Sequence, residues 1–172
     1  MISLAFASMG VMACSASLQQ AVDESVDGCI VIMRAGTWNE DVRIDNDLTI
    51  IGGYGGGETV ISGDTTGSVF TIDYADVVLT GLTITNGNAA FGGGINNDHG
   101  TLILNGVSIT GCNAHSGGGI YNLGGTVTMN GASSISGNTA TYHGGGIFNS
   151  GGTVNQYGGI VSGNIPDQIY NV

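Results

Sequence analysis

Gly92-Gly93-Gly94-Ile95-Asn96-Asn97, Gly117-Gly118-Gly119-Ile120-Tyr121-Asn122 and Gly144-Gly145-Gly146-Ile147-Phe148-Asn149 are one hexad written three times. The triplets begin 25 and 27 residues apart. A second mark, an Ile-Ser/Thr run ending in Asn, recurs at Ile84…Asn88, Ile109…Asn113, Ile135…Asn138 and Ile160…Asn164, with the Asn residues 25, 25 and 26 apart. Three residues separate Asn88 and Asn113 from the triplets that follow them, and five separate Asn138 from its own. The period is therefore about 25 residues, with one two-residue insertion in a turn.

Within each period the apolar residues alternate with period two: Leu82 and Ile84, Leu102 and Leu104, Val107 and Ile109, Val127 and Met129. Such alternation over four to six positions describes strands, and the glycine clusters between runs leave no room for a helix. Two or three short strands with tight Gly/Asn turns make one coil of a parallel β-solenoid, whose coils stack about 4.8 Å apart and set equivalent residues in ladders. Ile fills the core. Asn97, Asn122 and Asn149 are expected to pass amide hydrogen bonds from coil to coil, as stacked Asn does in cross-β arrays. Upstream, Cys29–Met33, Asp47–Ile51, Thr59–Ile61, Ser68–Ile72 and Val77–Leu79 continue the pattern less regularly. The expected fold is all-β: a single-stranded right-handed parallel β-helix of about six coils, with residues 17–172 as its domain.

Of 172 residues 33 are Gly, and a net charge of −11 rests on thirteen acids against Arg34 and Arg43 alone. Two basic residues cannot neutralise a phosphate backbone, which excludes nucleic acid as a partner. With 41% hydrophobic and 9% charged residues the chain is not disordered. The charge is lopsided: residues 1–80 hold eleven acids and both Arg, whereas residues 81–172 hold only Asp98 and Asp167. The second half must therefore build its polar surface from Asn, Thr, Ser and backbone.

Open solenoid ends invite further strands. Ser17–Val26 reads as a short amphipathic helix over the first coil, with Leu18, Ala21, Val22 and Val26 inward and Ser15 or Ser17 as N-cap. Pro166, the only proline, is expected to stop the ladder at the other end by withholding a donor. Capped ends argue against end-to-end self-assembly. Residues 1–16 are apolar at first and too short to span a membrane, and read as a truncated signal segment or as part of the N-terminal cap. Cys14 and Cys29 flank the helix and could pair; Cys112, beside Asn113, is expected to be half-buried and unpaired.

Ala35-Gly36-Thr37-Trp38-Asn39-Glu40 with Leu48-Thr49-Ile50-Ile51-Gly52-Gly53, Gly81-Leu82-Thr83-Ile84-Thr85-Asn86-Gly87 and the three GGGI-x-N hexads resemble the right-handed parallel β-helix of the pectate-lyase-like superfamily. They are most similar to its GGGI-x-N repeat group, which includes repeat regions of chlamydial polymorphic outer-membrane proteins and many secreted surface proteins. The resemblance runs from Ser17 onward. It implies a secreted or cell-surface module, structural or adhesive, that presents a repetitive face to a glycan or protein.

The alternative implied by the same resemblance is a degenerate or fragmentary polysaccharide-active enzyme of pectate lyase or polygalacturonase type. That chemistry needs several carboxylates converging on neighbouring coils, with Ca²⁺ and an Arg in the lyases. Asp98-His99 is the only acidic candidate in the regular coils before the C-terminal cap. Glu40, Asp41, Asp45, Asp47, Asp64, Asp73 and Asp76 fall in or beside turns, where a solvated, aggregation-resistant edge explains them and Ca²⁺ finds no support. His115 and His143 lie just before glycine triplets, and two imidazoles without a third ligand make a poor metal site. Tyr121 and Phe148 share a repeat position and are expected to stack as a structural ladder. Thr83-x-Thr85 and Thr126-x-Thr128 suggest an ice-binding face, but Val107-Ser108-Ile109-Thr110 reads as a break in that pattern. No catalytic, cofactor-binding or metal-binding residue is assigned, and non-enzymatic action is expected. A net negative rod also repels an acidic polysaccharide.

Overall fold

The computed structural model describes residues 11–13 and 17–172 except 65, and they form a parallel β-solenoid of about five turns. One full coil, residues 101–123, has four sides: Thr101–Asn105, Ser108–Thr110, Asn113–Ser116 and Ile120–Leu123. Every strand pairs in parallel with its equivalent on the neighbouring coil. Sides one and two belong to one 11-stranded sheet, because the long strand Leu48–Ser62 runs through both. Side four is a six-stranded sheet and side three a three-stranded one.

Alternation puts every second side chain inside. Side one contributes the column Val31, Ile50, Leu79, Leu104, Met129, and side two the column Trp38, Ile61, Ile84, Ile109, Ile135, Val161. From the second coil to the fifth these residues are fully buried, and burying each stabilises the rod by roughly 1.5–3 kcal/mol. Ile160, which opens the last recurring Ile…Asn run, pairs with Ser134 and points outward at 61% exposure, while Val161 takes the inward place.

Each member of a glycine triplet answers a different demand. Gly117 has φ +68, a value L side chains rarely adopt. A Cβ on Gly118 would stand 2.5 Å from the carbonyl oxygen of Thr139 and 2.6 Å from that of Gly145, and on Gly119 2.6 Å from that of Gly146. Successive coils touch backbone to backbone here, leaving no volume for a methyl group.

The insertion expected as two residues in one turn is instead two single insertions. Thr101 pairs with Thr126, Ser108 with Ser134 and Ile120 with Ile147, so the repeat lengthens first in the turn Gly131–Ser133 and again at a bulge in Thr139–His143. The slip separates the recurring Asn residues. Asn88 pairs with Asn113 on the exposed face of side three, but Asn113 pairs with Thr139. Asn138 and Asn164 occupy the preceding inward position, which Cys112 fills one coil earlier.

The helix Leu18–Asp23 buries Leu18, Ala21 and Val22, while Val26 lies beyond it and is exposed. Its N-cap Ser17 donates to Glu40 Oε2 at 2.7 Å, and the amides of Leu18 and Gln19 donate to the same carboxylate. Gln19 also exchanges two hydrogen bonds with the Arg43 backbone, which docks the helix on the first coil. Val11–Ala13 adds a parallel strand beside Ile30–Ile32. Ser15, Cys14 and with it the Cys14–Cys29 pairing lie outside the described residues, as does most of the 1–16 segment. At the other end the ladder of side three does stop at Pro166, after the single bridge between Thr139 and Ile165, whereas side four gains one more strand as Ile169–Asn171 pairs with Ile147–Asn149. Val154, Val161 and Ile169 pack on the core but stay only partly buried, and no cap covers them among the described residues.

Candidate functional site

The interior of side four becomes polar at Asn97. Its Nδ2 donates to Asn122 Oδ1 at 2.7 Å, Asn122 Nδ2 to Asn149 Oδ1 at 2.7 Å, and Asn149 Nδ2 to Asn171 Oδ1 at 3.0 Å. Each of the three amides also donates to the carbonyl three residues on, at Gly100, Gly125 and Gly152. The ladder expected from Asn97, Asn122 and Asn149 therefore forms and extends one rung further. It begins at Asn97 because Ile72 holds the equivalent position upstream, which leaves Asn97 Oδ1 buried without a donor. A second inward ladder joins Asn138 Nδ2 to Asn164 Oδ1, and Asn138 Oδ1 accepts from the amide of the buried Cys112. Burial pushes the Cys112 thiol up to about 11.

Carboxylates gather at the corner between sides four and one. Asp73 and Asp98 pair on adjacent rungs, an arrangement of like charges that needs compensation. Each has its own. Asp73 Oδ2, sealed from solvent, lies 2.7 Å from the Arg43 guanidinium; Asp98 Oδ1 contacts Nδ1 of His99. The next position holds Tyr74 and His99 at φ 55 and 58, where later coils have Gly124 and Gly151. Non-glycine residues there cost of order 1 kcal/mol each. Their rings stack at 5.0 Å, and a Cβ on Gly124 would strike the imidazole at 2.7 Å, so that glycine makes room for His99. Asp98 and His99 were legible as a candidate pair; Arg43 and Asp73, thirty residues apart, were not, because only coil register brings them together. Asp47 accepts from the Asp76 amide and acts as a backbone cap. On the opposite corner Asp41 accepts from the Asp64 amide, and burial and the neighbouring carboxyl raise the Asp41 pKa. Among the described residues no three of His, Cys, Asp and Glu are placed to hold a metal ion.

The edge between sides three and four carries rings. Tyr121 and Phe148 stack at 5.2 Å and 8°, as their shared repeat position implies, with Phe91 and Tyr170 tilted at either end. His115 and His143 do not meet: the bulge places Ser116 opposite His143, and His115 stacks on Tyr142. His143 instead stacks on Tyr170 at 3.9 Å and bonds Asp167 at 2.9 Å, which holds the Asp167 carboxyl below its ordinary range. Rings stacked on one another turn their faces inward along the ladder. Of the four rings Phe91, Tyr121, Phe148 and Tyr170, only Phe91, at one end, is largely open to solvent, so the ladder holds coils together better than it holds a ligand.

The outward face of side two is different. Ser108 and Thr110 pair with Thr83 and Thr85, and Ser134 and Ser136 follow, so a column of hydroxyls runs on although Thr-x-Thr itself ends at Thr85, as expected; Thr126 and Thr128 lie on side one, opposite Thr101 and Ile103.

No protein-family model, no curated protein and no solved structure matches the chain. Fold and surface chemistry therefore carry the functional argument. No helix among the described residues is long and apolar enough to cross a membrane.

Proposed function

We propose that the chain is a non-enzymatic β-helix module, secreted or displayed at a cell surface, whose repeated side faces dock a glycan or protein partner. The observation that carries this reading is the occupancy of the acids. Asp73 is held by Arg43, Asp98 by His99 and Asp167 by His143, while Asp41 and Asp47 cap backbone amides. Groups so engaged stabilise coil stacking, whereas the outward end of side two carries uncharged polar residues, Ser62, Thr85, Thr110, Ser136 and Ser162, on successive rungs. The resemblance of the GGGI-x-N hexads to pectate-lyase-like surface repeats supports an extracellular setting. A net charge of −11 disfavours polyanionic partners and nucleic acid.

A polysaccharide-cleaving ancestry has one observation in its favour, the Asp73, Asp98, His99 and Arg43 corner. A glycan array run beside a polygalacturonate-cleavage assay, with and without millimolar Ca²⁺, separates the two. The adhesive reading predicts binding without turnover. Unsaturated product that appears only with Ca²⁺ would overturn it in favour of an enzyme.

A further inference from the structure

Side two carries a column of hydrogen-bonding side chains along the whole rod. Asn39, Ser62, Thr85, Thr110, Ser136 and Ser162 pair in unbroken register over six rungs and alternate with the Trp38–Val161 core column; Ser62 is buried, its hydroxyl accepting from Asn86 Nδ2, and the other five reach solvent. Beside it runs a second outward column in which Thr83, Ser108 and Ser134 are consecutive. Neither column contains a charged residue, although the chain carries a net −11. The nearest carboxylate, Glu58, accepts from the Thr83 hydroxyl at 2.5 Å and borders the strip near one end.

The corner between sides one and two supplies an independent observation. In the middle coils it is low, made by Gly81, Gly106 and Gly131. At the second rung it is the irregular, glycine-rich middle of the strand Leu48–Ser62, where Tyr54 pairs with Arg34 of the first rung, and at the last rung it carries Tyr157. These tyrosines are 62% and 77% exposed, and neither ring stacks on another among the described residues. They stand four rung steps apart, about 19 Å along the axis. Unlike Tyr121 and Phe148, each set between two rings, they have no ring neighbour among the described residues.

We infer that this strip, bracketed by Tyr54 and Tyr157, is the docking surface for a single chain of neutral polysaccharide lying along the rod. The inference rests on the adhesive-module reading and names its face and its ligand class. Hydroxyls and amides both donate and accept, which matches the hydroxyls of a sugar, and exposed aromatic rings match the apolar face of a pyranose ring. The absence of charge selects neutral over acidic chains. Ser at positions 108, 134, 136 and 162 lacks the branch that stiffens χ1 in Thr, so these hydroxyls turn to meet a ligand rather than hold the fixed lattice an ice surface needs.

The test is affinity electrophoresis of the intact chain through gels containing soluble β-glucan, mannan or polygalacturonate, with pull-down on cellulose and chitin. Retardation or retention is expected with at least one neutral polymer and not with polygalacturonate. Tyr54→Ala combined with Tyr157→Ala should weaken it about tenfold. Thr110→Val, which keeps shape and removes one hydroxyl, should weaken it several-fold, while Tyr142→Ala on the other edge should leave it unchanged. Binding that Tyr142→Ala abolishes and the strip variants spare would overturn this inference and leave the adhesive module standing. Binding only to acidic glycans or to protein would do the same. Ice shaping without any retardation would replace the polysaccharide with ice as the ligand and overturn the assignment.

Discussion

Ile72 and Asn97 hold the same inward position on successive rungs, yet one closes an apolar interior and the other opens a polar one. The first two coils are irregular and acidic, with a helix clamped over them by Glu40 and an irregular, glycine-rich stretch of strand at their corner. The later coils hold only Asp98 and Asp167 as acids, each beside a histidine, and their polar interior is joined from rung to rung by amides. The contrast shows that a solenoid needs identical backbone on every rung but not identical chemistry. Where side chains repeat, hydrogen bonds can run along the axis; where they do not, each rung must satisfy its polar groups locally.

The largest expected effect comes from breaking the backbone contact of the regular coils. Gly118→Ala places a methyl group between two carbonyl oxygens that cannot both move, and should cost more than about 4 kcal/mol or abolish folding, read by urea denaturation. Asn122→Ala removes the middle of the buried ladder and orphans groups on both neighbours, at about 2–4 kcal/mol in the same measurement. The boundary itself can be moved. Ile72→Asn puts an amide beside the unpaired Asn97 Oδ1, whereas Ile44→Asn, one rung earlier, finds only Ile72 at that register. Both substitutions should destabilise, but Ile72→Asn by about 1–2 kcal/mol less. Equal losses would mean that the ladder cannot be extended.

Smaller effects follow pH, and they differ in sign between the two regions. The raised Asp41 pKa means that the folded state holds the proton more tightly than the unfolded chain. The stability this confers is present in acid and lost as pH rises through the folded value. Asp41→Asn should therefore stabilise slightly at neutral pH, by about 0.5 kcal/mol or less at a site only half-buried, where solvent screens the effect. Asp167 runs the other way: its hydrogen bond to His143 lowers the pKa, and the contribution is present above the ordinary carboxylate range and lost as pH falls through the folded value. The protection of the Ile169–Asn171 amides against hydrogen exchange, taken relative to the intrinsic rate at each pH, should fall in acid, and Asp167→Asn should flatten that dependence. Cys112, its thiol pushed up to about 11, should react with a thiol reagent only on unfolding.

The sequence made much of this legible, for physical reasons that also mark its limits. Period-two alternation and the glycine hexads specify strands and coils, and identical Asn at identical offsets specifies the Asn97–Asn149 ladder. One-residue insertions are harder to read. Asn113 and Asn138 share a motif in the chain but face opposite ways in the rod, because the slip in Gly131–Ser133 turns the next residue inward. Likewise Ile160, which opens the last recurring Ile…Asn run, lies on the outward face opposite Ser134, whereas Ile84, Ile109 and Ile135 point inward. Contacts between irregular coils, such as Arg43 with Asp73 and Glu40 with the helix, have no repeat to announce them.

The most direct test of the account is the affinity of the intact chain for a soluble neutral β-glucan, measured at low and at high salt. Recognition by hydroxyls and exposed tyrosine rings predicts measurable binding whose dissociation constant does not change with ionic strength, since no charge pair is available to screen. Binding that weakens steeply with salt, or that requires Ca²⁺, would place the working surface at the acidic corner of the first coils and contradict the account.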